Sequence, residues 1–305
     1  MGGYYLRCVH FYLAILIGEN LAIVFFLLLF LGLSFSLSDL SLIERSLYSF
    51  LSLTSSLLFL SRRICSYFEP SFKLAITMSL AGIMFLIFLL VKASMSLEQS
   101  SFFLLASICL MFGVAPFERA WIDFVEGLPT RFSLIFLLVA KAAGLFLVKD
   151  FLGKYETLIT VVTSISVFYC SLLFIIQSSF QRALSYYMGI LSSLMILFLA
   201  TWGLMPSLIL LFSSGMLFVL RSPKLGFQSW QILYATSHRY RVFEAGAWLS
   251  LNGVVFYFAM NRFKSFGLEP SLLYMSFLFV SYRLAKHLAM TYLWEGEREE
   301  THTSA

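Results

Sequence analysis

The stretch Pro116–Gly144, PFERAWIDFVEGLPTRFSLIFLLVAKAAG, decides the fold. A helix running from Ser100 to Ala115 meets Pro116, which has no amide hydrogen and crowds the preceding turn, so the helix must kink or end there. Arg119, Asp123 and Glu126 follow at its edge, and after Pro129 a second apolar run, Arg131 to Val148, carries Lys141. Lys141 is roughly ten residues into that run, which places its ammonium group near the middle of a hydrocarbon layer about 30 Å thick. A lysine there costs about 2.5–3.5 kcal/mol, so it should face protein or water and find a partner. Low dielectric disfavours its charged form, which lets such a lysine take up and release a proton. Snorkelling to the interface is the plain alternative. Lys149 already holds the helix end, about two turns beyond Lys141, and that argues against it.

The 305 residues are 60% hydrophobic and 12% charged, far outside the globular range, which points to a multi-spanning membrane protein. The net charge of +5 fits lysines and arginines placed in loops on one side of a membrane; there is no soluble basic domain for nucleic acid. Cys8, Cys65, Cys109 and Cys170 stand singly, without metal-ligand or redox spacing, and read as small apolar residues.

In chain order, the N-terminal MGGYYLRCVH shows no cleavage pattern and runs into apolar sequence. Hydropathy predicts spans within Phe11–Ser38, at Leu42–Leu60, at Phe72–Val91 after Pro70, at Ser100–Ala115 and at Arg131–Val148. Further spans are predicted at Thr157–Ile176, Ala183–Trp202, Ser207–Leu220, Phe243–Met260 and Ser271–Leu293. The segment KLGFQSWQILYATSHRYR is too polar to span and suits a helix lying along the surface, and residues 295–305 form a polar tail. The expected fold is thus all-α, a single polytopic domain over residues 1–294 with about ten transmembrane helices. Two halves of five emerge, each with an interrupted helix fourth, near Pro116 and Gly253, and a lysine-bearing helix fifth, with Lys141 and Lys286. An odd repeat length inverts the second half relative to the first. Arg7, Arg62, Arg63, Arg119, Arg131, Arg182, Arg221, Lys224, Arg239 and Arg241 fall on the side of the N-terminus, against mainly Lys92, Lys149, Lys154, Arg262 and Lys264 on the other, so both termini should face the compartment of synthesis.

Here the residues carry a resemblance. PFERAWIDFVEGLPT, followed eleven residues later by KAAG, resembles the PFHxWxPDVYEGxPT…PKxAG pattern of the NADH dehydrogenase subunit 2 family, antiporter-like membrane subunits of respiratory complex I. LIERSLYSFL, FEPSFKLAITMSLAG, QRALSYYMG and LSLNGVVFYFAMNRF resemble further family stretches in the same order, so the likeness covers roughly residues 12 to 295. The resemblance implies a subunit with no redox cofactor, the NADH, FMN, iron–sulfur clusters and ubiquinone being bound by other subunits. It implies proton movement along a mid-membrane line of charged residues, coupled to quinone reduction elsewhere in the complex. By motif match Glu44 is the glutamate of that line, Lys141 its central lysine, and Asp123 the acid in the loop after the broken helix. The implied partners are other complex I membrane subunits, including neighbouring antiporter-like ones, lipids such as cardiolipin, and protons. The implied location is the mitochondrial inner membrane, with both termini in the matrix.

The chain departs from the pattern. Met111 stands at a family lysine, Glu118 at the histidine, Phe263 at the distal lysine, and Val255 and Phe256 at the prolines of the second broken helix. The distal path would then fall to Lys264, Arg262 or Lys286 from neighbouring positions. Independently of the family, a Glu44–Lys141 pair about 4 Å apart at an effective dielectric near 20 would gain about 4 kcal/mol, comparable to the penalty on the lysine. The alternative for Glu44 is an acid at a helix N-terminus, favoured by the helix dipole. Three functions fit: the complex I subunit, which is preferred; a stand-alone cation/proton antiporter; and a structural complex I subunit with a degraded proton path. The break at Gly113 and Pro116 is expected to open beside Lys141 and hydrate it.

Overall fold

The computed structural model describes residues 24–61, 65–92, 97–127, 130–177, 180–219 and 269–283, with Gly253 and Tyr257 singly. Among these residues the chain is all-helical and holds no strand. In order come α1 (Val24–Leu37), α2 (Leu42–Ser61), α3 (Cys65–Val91), α4 (Leu97–Phe112), α5 (Arg119–Gly127) and α6 (Thr130–Leu152). A single 3-10 turn, Gly153–Tyr155, leads into α7 (Glu156–Ile176), then α8 (Phe180–Thr201), α9 (Leu204–Val219) and α10 (residues 269–283).

Among the described residues two helical stretches are long and apolar enough to cross a membrane: Phe68–Val91, and the 42-residue run Ile135–Ile176, which passes through α6, the 3-10 turn and α7. That run covers the fifth expected span from Ile135 onward and all of the sixth, and Tyr155 leaves helical geometry between them (φ −119°, ψ 24°). Val24–Leu37, Ser100–Phe112 and Ser185–Thr201 are apolar but shorter. The helix ends follow the sequence closely at α2. At α3 they do not: the helix starts at Cys65 and runs through Pro70, which hydropathy had placed before the span. Pro70 packs directly on Gly127, where a Cβ would come within 2.4 Å of its ring.

The helices assemble sequentially. α2 lies on α3, α3 on α4, and α7 on α8, while α8 also meets α5, α6 and α9. One continuous core runs through Phe25, Leu53, Phe85, Phe112, Phe136, Leu194 and Leu211. The phenylalanines interlock: Phe88 and Phe151 meet edge-to-face with ring centroids 5.1 Å apart, and Phe124 sits 5.1 Å from Phe136. Hydroxyls inside this core mostly bond the carbonyl three or four residues back in their own helix, as do Thr54 to Phe50, Ser56 to Leu53 and Ser171 to Val167. Few cross between helices: Ser107 reaches Ala81 of α3, and Ser52 reaches Leu28 of α1. The outer faces are apolar as well, with Ile76 54%, Leu90 64%, Ile176 72% and Ile209 68% exposed.

Opposite charges gather at one end of the bundle. Lys73 of α3 bonds Asp123 of α5 at 3.4 Å, and Arg182 of α8 bonds Glu126 of α5 at 3.2 Å. At the other end Lys92 lies over the Phe151 ring at 4.5 Å, and Ser100 meets the Tyr155 hydroxyl at 3.4 Å. α4 therefore starts at the Lys92 end and α5 finishes at the Arg182 end. Together they cross the bundle as one helix broken between Phe112 and Arg119.

Candidate functional site

The break is built from a few bonds. α4 stops at Phe112 because Gly113 turns into the left-handed region (φ +68°), and the Ala115–Pro116 peptide that follows is cis. A side chain at Gly113 is excluded twice: by its φ, and because a Cβ would stand 2.5 Å from Trp121. Two of the carbonyls that the break releases, and one of its amides, are taken by protein. Val114 N–H donates to Cys109 O at 2.9 Å, and the Trp121 indole N–H donates to Leu110 O at 3.1 Å. Ala115 N–H donates to Ser166 Oγ of α7 at 2.9 Å. Glu118 opens α5, its carbonyl accepting from Trp121 and Ile122, each at 3.0 Å.

Lys141 faces this break from α6 and is only 2% exposed. Its ammonium donates to Ser192 Oγ of α8 and lies 5.2 Å from the centroid of the Trp121 ring. Ser192 has one hydrogen and gives it to Met188 O at 2.6 Å, so its lone pairs are free for Lys141. The π-face of Trp121 is a favourable neighbour for a cation. Met111 fills the space on the next turn of α6: a Cβ at Gly144 would lie 2.9 Å from Met111 Sδ.

Two expectations are corrected. Glu44 does not meet Lys141. It sits exposed in the first turn of α2, where its carboxylate accepts from the Ser41 hydroxyl at 2.6 Å and the Ser41 amide at 3.2 Å, a capping arrangement at the end of the bundle. A first-turn residue cannot reach the depth of a lysine at the centre of α6. Nor does the break open around Lys141. Lys141 is 2% exposed, and Trp121, its indole anchored to Leu110 O, lies over it.

Asp123 lies on α5 rather than in a loop and is bound to Lys73, at the charged end of the bundle and away from Lys141. Arg262, Lys264 and Lys286 lie outside the described residues, as does the proposed second break, although Gly253 itself is helical. Among the described residues no group of His, Cys, Asp and Glu gathers that could hold a metal ion.

Sequence reasoning missed Ser192, Trp121 and Ser166 as parts of the site. Ser166 and Ser193 of α7 and α8 bond each other at 2.9 Å, and Ser193 donates onward to Gly189 O at 3.1 Å. Counting hydrogens, Ser166 must be the donor to Ser193 while it accepts from Ala115. A signal for these residues existed: Ser192 and Ser193 are adjacent hydroxyls inside an apolar run, which is uncommon without a polar partner. Glu118 is 6% exposed, and its Oε2 has no hydrogen-bond partner. It is within electrostatic reach of Cys170 on α7 and Tyr186 on α8, and Cys170 is in turn within reach of Lys141. No protein-family model and no curated protein matches the chain.

Proposed function

We propose that this chain is a non-redox, antiporter-like membrane subunit of NADH:ubiquinone oxidoreductase, contributing a proton-translocation path in the mitochondrial inner membrane. The observation that carries the reading is Lys141: a lysine held 2% exposed at the centre of a hydrophobic helix, packed on a broken helix and bonded to a serine of a third. A cation retained in such a place is costly and is a functional hypothesis by default. The all-helical architecture, the apolar outer faces and the order of the motifs in the sequence support the same reading. In it, the described helices belong to about ten spans arranged as two inverted halves of five, with both termini in the matrix.

Lys141 acts as the proton-loading group. As an ammonium it is held by Ser192 and by the Trp121 face, and as a neutral amine it accepts a proton from water admitted by movement of the α4–α5 break, directly or through Ser192, which takes a proton from that water as it passes on its own. Coupling to quinone reduction would enter through neighbouring subunits that shift the break or its charges. The structural-subunit alternative has one observation in its favour: Met111, at a family lysine position, is packed dry against Gly144.

The test is Lys141→Met in the assembled complex, reconstituted in vesicles. The expected result is reduced NADH:quinone turnover and reduced proton uptake per NADH, with the complex still assembled. Wild-type values for both in an assembled variant would overturn the pumping role and leave the structural one. Failure of the chain to co-migrate with NADH dehydrogenase activity would remove both.

A further inference from the structure

We propose that Glu118 is the acidic partner of Lys141, exchanging protons with it across the hydroxyls and thiol where α7 and α8 meet. The idea rests on the proton-path reading above and adds to it the residue that Glu44 does not supply.

Three observations place Glu118 in this role. It is the buried carboxylate at the break, 6% exposed; its own backbone amide bonds it, while Oε2 has no hydrogen-bond partner. A buried anion with one oxygen unsatisfied is expensive, whereas a carboxyl that takes up and gives up a proton meets that cost only in one of its two states. It is also within electrostatic reach of two groups able to carry protons, Tyr186 and the buried Cys170, which is hydrogen-bonded to Ser166, itself paired with Ser193. The groups that face it electrostatically are Arg119 on its own helix, Cys170 on α7 and Tyr186 on α8. Lastly, Cys170 lies within reach of both ends, Glu118 and Lys141, so the two titratable groups share one polar neighbourhood although no bond joins them.

The position at the start of α5 offers a purely structural account, since an acid is favoured at a helix N-terminus. That account asks only that the carboxylate meet helix amides, and it leaves the buried, unpartnered Oε2 unexplained.

The transfer is a proton exchange. Glu118 as carboxylic acid releases its proton, each intervening hydroxyl accepts one proton and passes on its own, and Lys141 goes from amine to ammonium while Glu118 becomes carboxylate. In this structure the relay is interrupted. Ser192 and Ser193 both give their single hydrogen to carbonyls of α8, and no hydrogen bond joins them. Adjacent residues on a helix do not face each other, so the proposal includes a water, admitted by movement of the break, that bridges the two serines.

The experiment compares Glu118→Gln, Glu118→Asp and Lys141→Met in the intact complex in vesicles, reading turnover and proton uptake against pH. Expected are a loss of coupled pumping in Glu118→Gln similar to that in Lys141→Met, a flattened pH profile, and partial rescue with a displaced profile in Glu118→Asp. Loss of pumping in Lys141→Met with a wild-type profile in Glu118→Gln would overturn the proposal and leave the proton-path reading standing. Wild-type behaviour in both would overturn the two together. A structural role would lower activity in Glu118→Gln while leaving the shape of the pH profile unchanged, and that result also rejects the proposal. If Glu118→Gln does not assemble, the native complex decides: a hydrophobic carbodiimide, which attacks protonated carboxyls in apolar surroundings, should modify Glu118 and spare exposed Glu44. Absence of Glu118 modification would reject the proposal.

Discussion

At the scale of single residues, the site is set by which atoms are short of partners. Ser192 is the acceptor for the Lys141 ammonium, and removing it leaves a buried donor to the Trp121 face alone. An unsatisfied buried donor costs about 1–3 kcal/mol, more when charged. Ser192→Ala is therefore expected to lower both thermal stability and pumping, while Ser192→Thr keeps the hydroxyl and retains most of each. Equal melting temperatures for Ser192→Ala and wild type would remove this serine from the site. Gly144 gives a sharper case. A valine there would drive into Met111 Sδ and the Phe112 ring, so Gly144→Val should block assembly, and Met111→Ala should restore part of it. Lys141 and the break beside it were legible from the sequence, because a charge and a proline in apolar runs are conspicuous. Glu44 was misplaced, since a motif match says nothing about whether a first-turn acid turns inward or caps its own helix.

At the scale of elements, α5 shows which contacts matter. It is tied to α3 and α8 by Lys73–Asp123 and Arg182–Glu126, but these pairs are part-exposed. Arg182 is 48% exposed in its side chain, and exposed pairs contribute about 0–1 kcal/mol, so Arg182→Ala should shift the melting temperature little. The close approach of Gly127 to Pro70 is different in kind. A Cβ at 2.4 Å from a proline ring has nowhere to go, and Gly127→Val is expected to separate α5 from α3 and prevent accumulation of the subunit. If Gly127→Val accumulated normally and Arg182→Ala did not, the order of these two effects would be wrong. α5 itself was not foreseen as a helix. Its charged residues Arg119, Asp123 and Glu126 read as a loop at the membrane edge. Trp121, Ile122, Phe124 and Val125 nonetheless form a buried face that only the neighbouring helices reveal.

For the whole molecule, the arrangement predicts sidedness. Lys92 and Arg182 lie at opposite ends of the bundle and are exposed, while Cys109 and Cys170 are buried. In a chain that crosses the inner membrane, an impermeant thiol reagent should label Arg182→Cys only from the matrix side and Lys92→Cys only from the other. Labelling of both from one side would defeat the span assignment and the inverted halves with it. That expectation comes from the basic residues of alternate loops, since lysines and arginines resist translocation; the structure adds that the two positions lie at opposite ends of the bundle.

The sequence by itself determined that the described part of the chain is helical and largely apolar, where α2 begins, that a helix must break near Pro116, and that a lysine lies deep in the helix that follows. These features are local: hydropathy, proline stereochemistry and charge act within a few residues of themselves. Only the tertiary structure decided who meets whom. Trp121 covers Lys141, Ser192 accepts from it, Ser166 takes the amide of Ala115, and Glu118 is enclosed beside Cys170 while Glu44 stays exposed. Each of these pairings except the capped glutamate joins separate helices, and in a core made mostly of phenylalanine and leucine many packings bury the same area. The choice among them rests on a few polar atoms that must find partners away from water, and partners distant along the chain leave no periodicity in the sequence to announce them.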